Sequence, residues 1–198
     1  MDSYITVKNS VRTAMSVKKS KFIASAAHVT SEEDAKKFIA AIEKEFDDAT
    51  HNPYAYVLNE RSNSSDDGEP LNSAGKPILS AIENKNLINV VVVVTRYFGG
   101  TELGIGGLIR AYRDAALNAI ETAGAVEKFY EEEISFSADY EFFGGLSSVL
   151  ETHFCTILEQ KMDKKVFFRV LVRKKDKEQF INALLKKTRG TVVIDGNE

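Results

Sequence analysis

The sequence is poor in the residues that cross-link or anchor small proteins. It contains one cysteine, three prolines and no tryptophan among 198 residues. A single cysteine excludes an intramolecular disulfide framework. The longest purely apolar run, the valines at 90–94, is far shorter than the roughly 20 residues of a membrane-spanning helix. Met1-Asp2-Ser3-Tyr4 shows no basic segment leading into an apolar one, so we expect a soluble, cytoplasmic protein without a membrane partner.

The chain also lacks an excess of positive charge. It has 26 basic and 29 acidic residues and a formal net charge of -3. Strong non-specific binding of nucleic acid usually needs a basic domain. Any contact with RNA must therefore come from a local cluster of lysines and arginines.

The periodicity predicts an α+β protein with two domains. The length allows one large or two small domains. From Ile134 to Ile194 the pattern reads β-α-β-β-α-β, the ferredoxin-like order. A charged stretch, Glu127–Glu133, precedes it, and this predicts an N-terminal α/β domain over 1–130 and a C-terminal domain over 131–198.

The N-terminal half mixes strands and helices. We predict a helix that begins after Ser31, a strand apolar on both faces at 87–95, and a helix from Leu108 to Gly124. Further strands are expected at 4–11, 17–26 and 54–58, a long loop at 61–76, and a short helix that opens with Pro77.

Five of the 12 glycines lie between Gly99 and Gly107. They follow the central strand and lead into a helix, whose N-terminal N–H groups can bind a phosphate or carboxylate. The segment fits neither the Walker A nor the Rossmann pattern. The alternative to ligand binding is a structural role, in which the glycines only allow tight turns and close packing. The candidate anion- or nucleic-acid-binding residues are Arg96, Tyr97, Gly99, Gly100, Gly104, Gly106, Gly107 and Arg110.

A second candidate lies in the loop 61–76. Asp66, Asp67 and Glu69 offer oxygen ligands of the kind that Mg²⁺ prefers, or they form a solvated turn. His51 is the histidine nearest in sequence and is a possible base or a structural residue. The candidate catalytic residues are thus His51, Asp67 and Glu69, and no cofactor is expected unless the protein is an enzyme that uses magnesium.

Arg113 is a further candidate for the anion site, together with Arg110. Alternatively, Arg110 only forms an ion pair with Asp114, since the two residues are spaced to lie on one helix face. His153 and Cys155 lack the neighbours of a metal or nucleophile site, and we interpret them as structural.

Two long motifs resemble the Impact family, in its bacterial YigZ-type branch. They are Asp67-Gly68-Glu69-Pro70 with Ala74-Gly75, and Val94-Thr95-Arg96-Tyr97-Phe98-Gly99-Gly100-Thr101 continuing to Arg110-Ala111-Tyr112. His51 with Ala55-Tyr56, and Lys19-Ser20-Lys21-Phe22-Ile23, add to the resemblance. The chain departs from it at Leu71-Asn72-Ser73, where the family has a Gly-Thr pair, and at Pro53, often Cys in the family.

The resemblance implies an N-terminal domain similar to the second domain of ribosomal protein S-five. It also implies a ferredoxin-like C-terminal domain similar to the last domain of the ribosomal translocase. Eukaryotic relatives regulate translation by competing with an activator of an initiation-factor kinase, a pathway that prokaryotes lack. A general link to translation is the part of this function that we expect here.

Three functions remain open on the sequence. The first is a factor that binds RNA, the ribosome or a translation-linked protein, with Lys18, Lys19 and Lys21 adding charge and Tyr97 and Phe98 stacking on a base. The second is a metal-dependent phosphoester hydrolase or phosphotransferase that uses the carboxylates 66–69 and the glycine loop 96–107. The third is a protein-interaction module. A site is favoured if His51 and both loops meet in one cleft.

Overall fold

The computed structural model describes residues 2–195. Their helices and strands form two compact units, one over Tyr4–Lys128 and one that contains residues 129–195 together with residues 2 and 3. The first unit holds seven strands and three helices. They are β1 (Ser3–Val7), β2 (Val11–Val17), β3 (Ser20–His28), α1 (Glu32–Glu45), β4 (Tyr54–Val57), β5 (Ser62–Ser65), α2 (Gly75–Glu83), β6 (Val90–Tyr97), α3 (Ile105–Ala123) and β7 (Ala125–Phe129).

The five-stranded sheet of this unit has the order β2-β3-β6-β4-β5, with antiparallel neighbours, and β1 pairs separately with β7. The predicted central strand is confirmed, because β6 lies in the middle of the sheet. Alternate valines of β6 face two different cores. Val90, Val92 and Val94 pack with α2 and α3, and Val91 and Val93 pack with α1. A strand buried on both faces needs this continuous apolar sequence.

The helices predicted in this unit are confirmed, although α2 and α3 begin two and three residues earlier than predicted. Ser31 caps α1 by accepting a hydrogen bond from the Asp34 amide, and Gly124 follows the last residue of α3. However, α3 begins at Ile105 rather than Leu108, so that Gly106 and Gly107 lie in its first turn. Pro77 lies in the first turn of α2, as expected.

Two predictions for the first unit were wrong. The region 4–26 contains three strands instead of two, because Lys18 and Lys19 adopt left-handed φ values of 45° and 69° and form a tight hairpin turn that glycine or asparagine would normally signal. The predicted loop 61–76 contains β5, a polar edge strand without alternation. The charged stretch 127–133, where we predict the domain boundary, is largely strand, since β7 ends at Phe129 and the next strand begins at Glu131.

The second unit contains β8 (Glu131–Asp139), α4 (Phe143–Thr152), β9 (Thr156–Met162), β10 (Lys165–Arg173), α5 (Lys177–Lys187) and β11 (Val193–Ile194). The predicted β-α-β-β-α-β order is confirmed. The sheet order is β11-β8-β10-β9, and each neighbouring pair is antiparallel. Inward residues alternate along β8 and β10, where Phe136 and Phe168 join Leu146 of α4 and Phe180 of α5 in one core. No helix within residues 2–195 has the length and apolar character to cross a membrane.

Gly99 is the point where the hairpin turn and the end of β6 come together. An added Cβ at Gly99 would lie 2.1 Å from the Lys19 carbonyl carbon, and the Gly99 amide donates to the Ser20 hydroxyl at 3.1 Å. No side chain fits between these two backbones without displacing one of them. The contact therefore fixes the hairpin turn against the glycine-rich segment.

Replacing Gly99 by alanine tests this contact. We expect Gly99→Ala to lower the free energy of unfolding by about 1–3 kcal/mol, because the added methyl group overpacks the contact. Gly106→Ala is the matched control, since its Cβ would meet nothing closer than an Arg110 nitrogen at 3.8 Å, and it should be neutral or stabilising by up to about 1 kcal/mol. Urea denaturation followed by circular dichroism measures both, and equal stability of the two variants would contradict the contact.

Candidate functional site

A cleft of about 430 Å³ lies in the first unit, where β6 ends and α3 begins. The structure brings His51, the loop 66–75 and the segment 96–105 together at this cleft. Its lining residues are Thr50, His51, Glu69, Pro70, Arg96, Phe98, Glu102, Leu103, Gly104, Ile105 and Leu108. This convergence is the geometry that favours a site.

Backbone hydrogen bonds place His51 beside Arg96. The Arg96 amide donates to the His51 carbonyl at 2.8 Å, and the Thr50 amide donates to the Arg96 carbonyl at 2.9 Å. The loop after β5 closes on the other side of the histidine, because an added Cβ at Gly68 would lie 3.0 Å from His51 Cε1. The ring is thus held between the end of β6 and the Asp-Gly-Glu-Pro turn.

A buried ion pair forms the floor of the cleft. The Arg96 guanidinium donates through one terminal nitrogen to Glu69 Oε1 at 2.6 Å, and the two side chains are 7% and 3% exposed. The Tyr112 hydroxyl of α3 donates to the same oxygen at 2.6 Å. Burial, reinforced by this hydrogen bond, raises the pKa of Tyr112 far above its usual range, so the hydroxyl stays protonated as a donor. Loop 66–75, β6 and α3 are therefore joined at one carboxylate.

The positive charge of Arg96 is balanced by a carboxylate within the floor, so the cleft is less suited to an anion than the sequence predicts. Glu69 offsets the charge of Arg96, and the exposed carboxylate of Glu102 lies at the rim. Arg96 Nε is buried without a hydrogen-bond partner within the described residues and therefore retains one unused donor. The cleft can accept a group that forms hydrogen bonds, but it does not offer the concentrated positive charge that a free phosphate prefers.

The three carboxylates proposed as metal ligands point to different partners. Asp66 accepts hydrogen bonds from the amides of Asn72, Ala74 and Gly75 and so satisfies the start of α2. Asp67 accepts from the Asn52 amide at 2.6 Å. Within residues 2–195, no group of three or more histidine, cysteine, aspartate or glutamate side chains is arranged to hold a metal ion. The donor set therefore does not fit a magnesium site.

The glycines of the cluster have separate roles. Gly104 lines the cleft and precedes α3 with φ 70° and no side chain that caps the helix. Gly107 packs on Leu103, whose Cβ would lie 2.9 Å from an added Cβ. Gly99 packs on the hairpin turn, as described above, and Gly100 and Gly106 are exposed. Close packing explains Gly99 and Gly107, and left-handed φ values of 80° and 70° explain Gly100 and Gly104.

Two of the predicted cationic or aromatic residues lie apart from the cleft floor. Tyr97 follows Arg96 on the strand and points to the opposite face of the sheet, where its hydroxyl donates to Asp48 at 2.6 Å. Arg110 lies one turn into α3, with a guanidinium nitrogen 3.8 Å from the Cβ position of Gly106. The expected Arg110–Asp114 pair is wrong, because Asp114 pairs with its neighbour Arg113 at 3.1 Å.

Sequence reasoning missed the role of Tyr112 and treated it as part of an apolar helix face. A buried tyrosine hydroxyl usually finds a partner, and this rule is the signal that would have pointed to a buried acceptor such as Glu69. Glu102, Leu103 and Ile105 were also missed as lining residues, since nothing in their pattern shows which way the turn before α3 faces.

His153 and Cys155 both belong to the second unit. The His153 ring packs edge-on against Phe180 with centroids 5.6 Å apart. Burial raises the pKa of the Cys155 thiol to about 11, which keeps it in the unreactive protonated form at neutral pH. Both observations agree with a structural role.

The fold and the cleft define a class of protein: a two-domain α+β chain whose N-terminal unit carries a cleft between an Asp-Gly-Glu-Pro turn and an Arg-Tyr-Phe-Gly-Gly segment. Residues 18–120 match the family model described as the Impact N-terminal domain. The chain belongs to the Impact family.

Relatives in this family extend the likeness over most of the chain. IMPACT family member YvyE of Bacillus subtilis is 37% identical over 87% of this chain and 81% of its own length. IMPACT family member YigZ of Escherichia coli is 33% identical over 76% of each. A crystal structure of a hypothetical protein matches with a TM-score of 0.73 and 29% identity, over 98% of this chain and 97% of the other.

Neutralising Glu69 tests the buried pair. We expect Glu69→Gln to lower the free energy of unfolding by about 3–5 kcal/mol, because it leaves the buried Arg96 charge without its counter-ion. The control is Glu102→Gln at the exposed rim, which should change stability by less than about 0.5 kcal/mol. Chemical denaturation of both variants provides the measurement, and a Glu69 variant as stable as its control would show that the pair does not hold the cleft.

Proposed function

We propose that this protein is a translation-linked factor that binds single-stranded RNA through the corner of the first unit where the hairpin turn of β2 and β3 meets the glycine-rich segment. The observation that carries the proposal is the backbone contact between Lys19 and Gly99. It places exposed lysines, an exposed aromatic ring and a cleft side by side.

The hairpin supplies the positive charge that the whole chain lacks. Lys18, Lys19 and Lys21 are exposed, and within the described residues none of the three takes part in an ion pair. Unpaired lysines are available to displace the counterions of a phosphate backbone. Arg110 adds a further exposed cation near the start of α3.

Phe98 supplies a surface for a base. It lies directly before Gly99, is 49% exposed, and borders the cleft. The Arg96 guanidinium lies 5.4 Å from its ring centroid and supports the ring from the buried side. An exposed aromatic ring between cations is typical of surfaces that bind single strands, since every base has a face that stacks.

Family membership supports the link to translation. Protein IMPACT of Rattus norvegicus is 38% identical to this chain over 95 residues, which is 44% of this chain and 29% of that protein. The family resemblance also implies that both domains are similar to domains of translation proteins, which points in the same direction. The eukaryotic match covers less than half of each chain, and residues 18–120 are the part of this chain that matches the Impact N-terminal family model.

Salt dependence and lysine substitution test the proposal. We expect the affinity for a single-stranded RNA of mixed sequence to fall as salt rises, because binding releases counterions from its phosphates. The double variant Lys18→Gln with Lys19→Gln should reduce the slope of log K against log salt by about 1.4, since each phosphate left without a neutralising lysine removes about 0.7. The matched control is Lys164→Gln with Lys165→Gln at the β9–β10 turn of the second unit, which removes the same charge from another hairpin.

Fluorescence anisotropy at several salt concentrations measures both effects. Binding that is absent at low salt, or that weakens equally in the two double variants, would contradict RNA binding at this corner. Purified ribosomal subunits in the same assay test whether the RNA is ribosomal.

A further inference from the structure

We infer that the cleft receives one unstacked nucleobase of the bound strand, while the phosphates stay outside it. This inference rests on the proposed function and specifies what the cleft contributes to it. It follows from the shape of the cleft, its polar floor and the position of its charges.

The size and the walls of the cleft suit a flat aromatic group. Its volume of about 430 Å³ falls within the range of small-molecule sites. Phe98 and Ile105 border the opening and are 49% and 61% exposed, and Leu103 and Pro70 continue the apolar lining. Exposed apolar side chains around a concave site bury their surface when a planar ring enters.

The floor offers directional hydrogen bonds instead of bulk charge. Arg96 is 6% exposed, lines the cleft and keeps a buried Nε without a partner within the described residues. His51 lies beside it with a ring that offers both a donor and an acceptor. The edge of a nucleobase presents hydrogen-bond donors and acceptors, so an entering base can exchange hydrogen bonds with the His51 ring.

The charges separate base from phosphate. Inside the cleft, Glu69 balances Arg96, and Glu102 adds negative charge at the rim. The negative charge of that carboxylate would repel a free phosphate, whereas it would not repel a neutral base. Outside the cleft, the hairpin that carries Lys18 and Lys19 is held against Gly99. These exposed lysines suit the phosphates that flank an inserted base.

A strand without bases tests the inference. We expect the wild-type protein to bind a single-stranded RNA of mixed sequence about 5- to 150-fold more tightly than an abasic ribose-phosphate strand of equal length, the range expected for one stacked base. Phe98→Ala should lose most of that preference and bind the abasic strand as the wild type does. Phe154→Ala, which removes an aromatic ring that is 78% exposed in the second unit, should keep the preference.

The outcomes separate this inference from the proposed function. Equal binding of the two strands by the wild type, with the lysine dependence intact, would overturn base insertion and leave RNA binding in place. A preference that survives in Phe98→Ala would also overturn it, since the base would then be bound elsewhere. If neither strand binds at low salt, the proposed function fails and base insertion fails with it.

Discussion

The buried pair of Arg96 and Glu69 is the interaction on which the cleft depends. Two charges removed from water are tolerated only when each meets a partner and further hydrogen bonds. Here the carboxylate accepts from both Arg96 and the Tyr112 hydroxyl, so one oxygen joins the end of β6, the Asp-Gly-Glu-Pro turn and α3. These three segments meet at the floor of the cleft, and their relative positions follow from this contact.

The same pair also limits the chemistry of the cleft. Glu69 is engaged as an acceptor, and Asp66 and Asp67 hold backbone amides of the surrounding loop. The motif that suggests a metal-dependent enzyme from its sequence is therefore used to build a loop. What remains for a ligand is a histidine ring and an apolar rim.

The sequence predicted the architecture where apolar periodicity was strong. The valine run of β6, the Ser31 cap and the ferredoxin-like order of the second unit were all readable, because burial on known faces leaves a periodic pattern. It failed where backbone geometry departs from the usual residue preferences. Lysines took the left-handed turn positions at 18 and 19, and polar residues formed the edge strand β5.

For the site, the sequence indicated the segments but not the direction of their side chains. His51, Glu69 and Arg96 do meet in one cleft, which is the arrangement that favours a site. The structure was needed to show that Tyr97 faces the opposite side of the sheet, that Tyr112 completes the buried network, and that the charge of Arg96 is already balanced.

Nuclear magnetic resonance of the ¹⁵N-labelled protein titrated with single-stranded RNA tests the central claim, RNA binding at the cleft and the hairpin, most directly. Our account predicts that amide shifts concentrate in residues 18–21, 50–52 and 98–107, and shifts confined to residues 129–195 would contradict it.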